Sequence, residues 1–236
     1  MAKILGIESA SLTASVALAE GNTLIAEYTL NDKKTHSQTL LPMIDEIVSR
    51  TDTDKGSIDA VAISKGPGSF TGLRIGSATA KGLGQALNIP LIPVPTLDAM
   101  AYGLYGCAGL ICPMMDARRN QVYTGIYRNE GEFQVVLEQC PLDIHDLLDR
   151  LNQLGQPVIF LGDGVPVQKE RIREELKVPC SFAPAHLSRQ KAGAVAVLGA
   201  AYYEKGITQT AAEHAPEYLR MSQAEREMKE KGVSLP

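Results

Sequence analysis

Residues 66–76, Gly-Pro-Gly-Ser-Phe-Thr-Gly-Leu-Arg-Ile-Gly, place four glycines in eleven positions, after a strand-like run from Ile58 to Ser64. The order dictates a strand, a tight glycine loop and then a helix, expected from about Thr71 to Asn88. Gly72, Gly76, Ala80 and Gly84 recur every four residues, so one stripe of that helix carries almost no side chain. Each glycine costs a helix about 1 kcal/mol relative to alanine. The spacing therefore predicts a compensating close approach by another helix, and this surface is the first lead to function.

Composition narrows the function classes. Lys plus Arg number 23 against 27 Asp plus Glu, a net charge of −4, which is no footprint for independent nucleic-acid binding. No apolar run approaches the ~20 residues of a membrane span, and the chain enters a strand pattern from Met1 without a signal-peptide pattern. The four cysteines, Cys107, Cys112, Cys140 and Cys180, form no C-x-x-C pair. Scattered thiols of this kind predict reduced residues in the cytoplasm, with no metal site.

Periodicity divides the chain into two halves of the same order. In the first, strands at Lys3–Glu8, Ala14–Ala19 and Thr23–Leu30 precede a helix from about Thr35 to Arg50. The Ile58–Ser64 strand, the glycine-striped helix, a strand at Leu91–Val94 and a short helix from Thr96 to Tyr102 follow. In the second, Leu110–Asp116, Val122–Tyr127 and Phe133–Glu138 are strands and Asp143–Leu154 a helix. Strand Val158–Leu161, helix Val165–Leu176, strand Cys180–Phe182 and helix Gln190–Glu204 complete it. Short turns make the first three strands of each half antiparallel, and helical crossovers make the later ones parallel. The expectation is an α/β protein of two tandem lobes, residues 1–105 and 106–236, each a mixed five-stranded sheet with helices. That is the layout of the actin-like ATPase superfamily. The charged run from Ser222 reads as a solvated end.

In that layout a hairpin of each lobe grips nucleotide phosphates. Glu8 in the first hairpin and Asp116 and Arg118 in the second are thus candidate nucleotide contacts, as are Gly162 and Gly164 in a strand-to-helix turn. Asp116-Ala117-Arg118-Arg119-Asn120-Gln121 lacks glycine where close backbone approach to phosphate needs it, which argues against ATP hydrolysis. His36, His145, His186 and His214 form no H-E-x-x-H pair, and neither Ser64 nor Ser69 sits in a G-x-S-x-G elbow. Ser69 and Thr71 read as helix caps, and the amides after Gly66-Pro67-Gly68 could hold an anion.

The glycine-rich motif at 66–76 resembles the hallmark of the TsaB (YeaZ) family of tRNA threonylcarbamoyladenosine biosynthesis proteins. Ile4-Leu5-Gly6-Ile7-Glu8-Ser9, Ser15-Val16-Ala17-Leu18, Asp116-Ala117-Arg118-Arg119 and Pro216-Glu217-Tyr218-Leu219-Arg220 are similar to its other motifs. The resemblance implies a subunit required for, but not catalysing, threonylcarbamoylation of the adenosine beside the anticodon of ANN-reading tRNAs. It implies a TsaD-like transferase as partner, a TsaE-like ATPase, tRNA engaged through the complex, and a homodimer in isolation. ATP or ADP would sit at the complex interface, with none bound by this subunit alone. Thr96 and Met100 stand where a TsaD-type chain carries paired metal-binding histidines, and a hydroxyl and a thioether make a poor metal site.

The partner interface expected from the two long helices comprises Leu40, Met43, Ile44 and Ile47 of one, and Leu73, Gly76, Ala80, Leu83 and Leu87 of the other. Two other readings remain: an autonomous actin-like phosphotransferase acting on a small substrate with ATP, and an actin-like regulatory module without a tRNA connection.

Overall fold

The computed structural model describes residues 1–32 and 35–219. Arg220 of the C-terminal motif and the charged run from Ser222 lie outside the described residues. The first half contains β1 (Lys3–Glu8), β2 (Thr13–Glu20), β3 (Thr23–Asn31), α1 (His36–Arg50), β4 (Ala60–Gly66), α2 (Phe70–Leu87), β5 (Leu91–Pro95) and α3 (Thr96–Tyr102). The second contains β6 (Cys107–Asp116), β7 (Gln121–Asn129), β8 (Phe133–Asp143), α4 (Ile144–Leu154), β9 (Val158–Leu161), α5 (Val165–Glu175), β10 (Cys180–Phe182) and α6 (Ala192–Glu204). The sheets run β3-β2-β1-β4-β5 and β10-β9-β6-β7-β8. In each, the first three strands pair antiparallel and the later two join in parallel. This is the duplicated mixed-sheet architecture that the order of elements dictates.

Alternation along β1 splits the first core in two. Leu5 and Ile7 face α1 and α2 with Val61, Ile63 and Leu91. Ile4 faces the other way with Ala60, Ala62 and Val94, and the cover there is α6, through Ala192, Val195, Ala196 and Leu198. The last helix, expected with the lobe of residues 106–236, thus packs on the sheet of residues 1–105. The reason is its composition: Ala-Gly-Ala-Val-Ala-Val-Leu-Gly-Ala-Ala-Tyr-Tyr has no polar face, and a helix apolar all round must be covered on more than one side. α3 makes the reciprocal exchange, with Leu97, Met100 and Ala101 packed among Ile111, Met115, Tyr127 and Leu161 of the second lobe.

A polar tie reinforces this exchange. Asp98 of α3 is buried, accepting from the Tyr127 hydroxyl of β7 at 2.8 Å and from the half-buried Tyr202 hydroxyl of α6 at 3.4 Å. Burial raises the Asp98 pKa, and the two phenols that donate to it oppose that rise. Gln139 of β8 adds a second link, donating to the Gly66 carbonyl at 3.0 Å.

The glycine stripe answers to this protein's own core. A Cβ on Gly72 would run into the Ser9 carbonyl, and one on Gly76 into the Ser9 hydroxyl, with Ile63 Cδ1 at 3.2 Å. The bare stripe lets α2 settle on β4 and on the β1–β2 turn, so the close approach that offsets its low helix propensity is made by a strand and a turn, not by the second helix the spacing predicted. Ser69 caps α2, its hydroxyl accepting from Gly72 N–H at 3.3 Å, and Thr71 lies just inside the helix.

Candidate functional site

Two regions are to be weighed: the helices α1 and α2, and a cleft between the lobes.

On the helical face the structure corrects the expected interface. Leu40, Ile47, Leu73 and Ala80 are buried in the protein's own core, and so are Met43, Ile44 and Gly76. Leu83 packs half-buried against the same core, and Leu87 is half-buried. Their apolar spacing serves the sheet beneath, because the face of an amphipathic helix that looks inward is the one its own sheet claims. What looks outward is Leu41, 55% exposed, with Pro42 and Asp45 on α1, and Thr71, Arg74, Ala78, Gly82, Gln85 and Ala86 on α2. Ala78, Gly82 and Ala86 form a second small-residue stripe, two positions out of phase with the first. A Cβ added at Gly82 would meet nothing within 4 Å. The fold therefore gives no reason for glycine there. The sequence held this signal, but periodicity alone does not say which of two bare stripes faces the sheet.

The cleft encloses about 880 Å³. One wall is Ala10–Leu12, His36 and the glycine loop Pro67–Gly72; the other is Met115–Arg118, Tyr123 and Asp163. The β1–β2 turn is clamped to the loop: Ser69 N–H donates to the Ala10 carbonyl at 2.6 Å and the Ser9 hydroxyl to the Gly72 carbonyl at 3.0 Å. His36 Nε2 lies 2.8 Å from the Ser11 carbonyl, an acceptor only, so Nε2 carries the proton. Its Nδ1 is buried without a hydrogen-bond partner.

Of the nucleotide-contact candidates, Asp116 and Arg118 line the cleft, and Glu8, Gly162 and Gly164 do not. Glu8 is wholly buried, one carboxylate oxygen accepting from Ala10 N–H at 2.6 Å and the other without a partner. Burial pushes its pKa up to about 7, partly offset by the Ala10 N–H. It braces the turn rather than facing the cavity. Gly162 is at φ +105°, and a Cβ there would strike the Met114 carbonyl, to which Gly164 N–H donates at 3.0 Å. These two glycines close the turn from β9 to α5 against β6. Asp163 between them was not foreseen; it lines the cleft, with burial raising its pKa and the charge of Arg189 opposing that.

The second hairpin departs from the glycine argument. Arg118, Arg119 and Asn120 take φ of +61°, +54° and +61°, the left-handed region, without a glycine among them. Cross-ties hold the turn: Arg118 N–H donates to Asp116 Oδ1 at 2.8 Å, and Arg171 Nη1 to Asn120 Oδ1 at 2.6 Å. At the position of the absent histidines, Thr96 and Met100 are both buried on α3, the Thr96 hydroxyl without a partner.

Comparison with known proteins gives a consistent picture. Residues 23–228 match the family model described as TsaD, tRNA N6-adenosine threonylcarbamoyltransferase. The chain is 34% identical over 225 residues to the tRNA threonylcarbamoyladenosine biosynthesis protein TsaB of Bacillus subtilis, covering 94% of this chain and 96% of that one. It is 36% identical over 172 residues to TsaB of Escherichia coli, covering 69% and 71%. Among solved structures, YeaZ from Pseudomonas aeruginosa superposes with a TM-score of 0.79 at 25% identity, covering 93% of this chain and all of that one. A polyphosphate/ATP-glucomannokinase from Arthrobacter, at TM-score 0.53 and 10% identity, shares the fold.

Proposed function

Since the chain belongs to the TsaB (YeaZ) family, we propose that it is the supporting subunit of a tRNA threonylcarbamoyladenosine-forming complex, engaging a TsaD-like transferase through the outer face of α1 and α2. The observation that carries this reading is the exposed small-residue stripe Ala78, Gly82 and Ala86, with open space where a Cβ on Gly82 would stand. A helix face this bare admits a partner helix at close interaxial distance, where dispersion and apolar burial are greatest. The same face would pair two copies of the chain in isolation, since a self-complementary patch closes as a twofold dimer, in competition with the transferase.

The subunit supports catalysis without performing it. Glu8, the carboxylate nearest a magnesium role, is sealed beneath the first hairpin, and Thr96 and Met100 offer no metal ligand set. A TsaE-like ATPase and the tRNA join through the complex, and ATP or ADP is held at its joints rather than by this subunit alone. The reaction belongs to the cytoplasm; among the described residues no helix is long and apolar enough to cross a membrane.

The test is reconstitution. The chain and a TsaD-like partner are mixed, and the mass in solution is measured for the unaltered chain and for Gly82→Leu. A heterodimer with the first and separate species with the second support the reading; equal association refutes the face. Turnover of Mg-ATP by the isolated chain would favour the autonomous phosphotransferase instead.

A further inference from the structure

A second cavity, about 310 Å³, opens on the side of the first sheet that α6 covers, opposite to α1 and α2. Its walls come from β3, from α3 and its end, and from α6 with the loop before it. Leu24, Met100, Leu187 and Val197 make those walls apolar, and the charged groups among them are Glu27, Arg189 and Lys191. An apolar hollow of this size with few polar groups suits a small molecule.

Two local features shape it. The pairing of β2 with β3 slips, so that Leu18 faces Ala26 and Ala19 faces Leu24, with Ile25 the extra residue of a β-bulge. In a regular strand Leu24 would share a face with Ala26 and Tyr28, which pack with the core beneath α1 and α2. The bulge turns it instead to the face of Glu27. Both side chains reach the first turn of α6, where a Cβ on Gly193 would meet Glu27 Oε1 at 2.9 Å and Leu24 Cδ2 at 3.2 Å. The other feature is Gly103, just past α3. Its φ of −64° is open to any residue, and a Cβ there would find only ordinary contacts, the Met100 carbonyl at 3.5 Å and Ala194 Cβ at 3.7 Å. The backbone gives no reason for glycine; a side chain would extend towards Ala194, which also lines the cavity.

The charges are unevenly committed. Glu27 Oε1 accepts from Gly193 N–H at 2.7 Å, so the acid is turned onto the end of α6. The charge of Arg189 also acts on Asp163 in the cleft. Lys191 is half-buried, and its ammonium makes no hydrogen bond or ion pair among the described residues. One anionic group on an apolar body complements such a cation beside such walls.

We propose that this cavity binds a small amphipathic carboxylate, its acid group on Lys191 and its apolar body between Leu24, Met100 and Val197. α3 and α6 are the helices that the two lobes exchange, so an occupant bridges that exchange and stabilises it. The site stands apart from the partner face, across the sheet from α1 and α2.

The experiment uses the full chain, with 4-phenylbutyrate as the probe and 4-phenylbutanol as its uncharged counterpart, and follows backbone amide shifts by NMR. The acid should bind with a Kd in the low millimolar range or below, as a ligand of about twelve non-hydrogen atoms can. The amides of Gly103, Ala194 and Val197 should move most. The alcohol should bind about fivefold more weakly, and that gap should close in Lys191→Ala, which lacks the cation that tells the two apart. Gly103→Leu should abolish binding by filling the cavity. Saturating acid should raise the melting temperature of the unaltered chain and leave that of Gly103→Leu unchanged. Thermal unfolding verifies that both variants fold, and the Lys191→Ala comparison decides alone if Gly103→Leu does not. Equal binding of acid and alcohol, a gap that persists in Lys191→Ala, full binding by a folded Gly103→Leu, or no shift at the cavity amides would each overturn the proposal.

Discussion

Replacing Gly82 by leucine separates the demands of the fold from those of a partner, because the two pull in opposite directions at this position. Within the chain a new Cβ touches nothing, so no overlap penalty arises. The helix gains about 0.8 kcal/mol at most in propensity when glycine gives way to leucine. For a chain of this length that is a rise of roughly 2–4 °C in melting temperature. A partner helix lying on Ala78, Gly82 and Ala86 would instead meet a four-carbon side chain where it had met backbone. Wedging such a contact apart should cost about 2 kcal/mol, or roughly thirtyfold in affinity. Calorimetric melting of the isolated variant and titration against a TsaD-like partner read the two effects independently. The contrast is Gly76→Leu, on the inner stripe, where any Cβ collides with the Ser9 hydroxyl; it should lower stability by about 1–3 kcal/mol through overpacking. A Gly82→Leu chain that melts lower, or that binds the partner as well as before, would refute the assignment of the two stripes.

Three further outcomes follow from single side chains. Glu8 has a folded pKa near 7 against an ordinary 4.5, so the folded state binds more protons between those values. Its contribution to stability is complete below pH 4.5 and is lost as pH rises towards 7; Glu8→Gln should flatten that part of the melting-temperature profile, and an unchanged slope would contradict the burial argument. Asp98→Ala removes the acceptor of two phenol hydroxyls, and stranding the buried Tyr127 donor costs about 1–3 kcal/mol, with less from the half-buried Tyr202, so guanidinium melts should shift to lower midpoint. Asp98→Asn, which still accepts, should recover part of that loss. Ser69→Ala removes the α2 cap and should cost about 1 kcal/mol in urea unfolding, with Ser69→Thr largely neutral.

The sense of strand pairing, the repeated order of elements and the position of the glycine loop were legible because each follows from local signals. Period-two alternation, short turns and helical crossovers leave few topologies open. The site was less legible. Glu8 reads as a phosphate-handling acid from its place at the end of β1, yet its carboxylate folds back onto Ala10 N–H beneath the turn. Gly162 and Gly164 read as a ligand loop and serve instead to bring a turn against the Met114 carbonyl. Arg118 to Asn120 lack glycine and still turn left-handed, because Asp116 and Arg171 hold them from outside the turn.

By itself the sequence determined that α2 is bare along its length, that α6 is apolar all round, and that two sheets are built in tandem. Only the tertiary structure decided that Gly72 and Gly76 face the sheet while Gly82 faces solvent, and that α6 crosses to the other lobe. The reason is that periodicity records the angle between residues on one helix, not the direction in which its neighbours lie. Which stripe is spent on the core depends on surfaces distant in the chain, and these meet only when the lobes fold together.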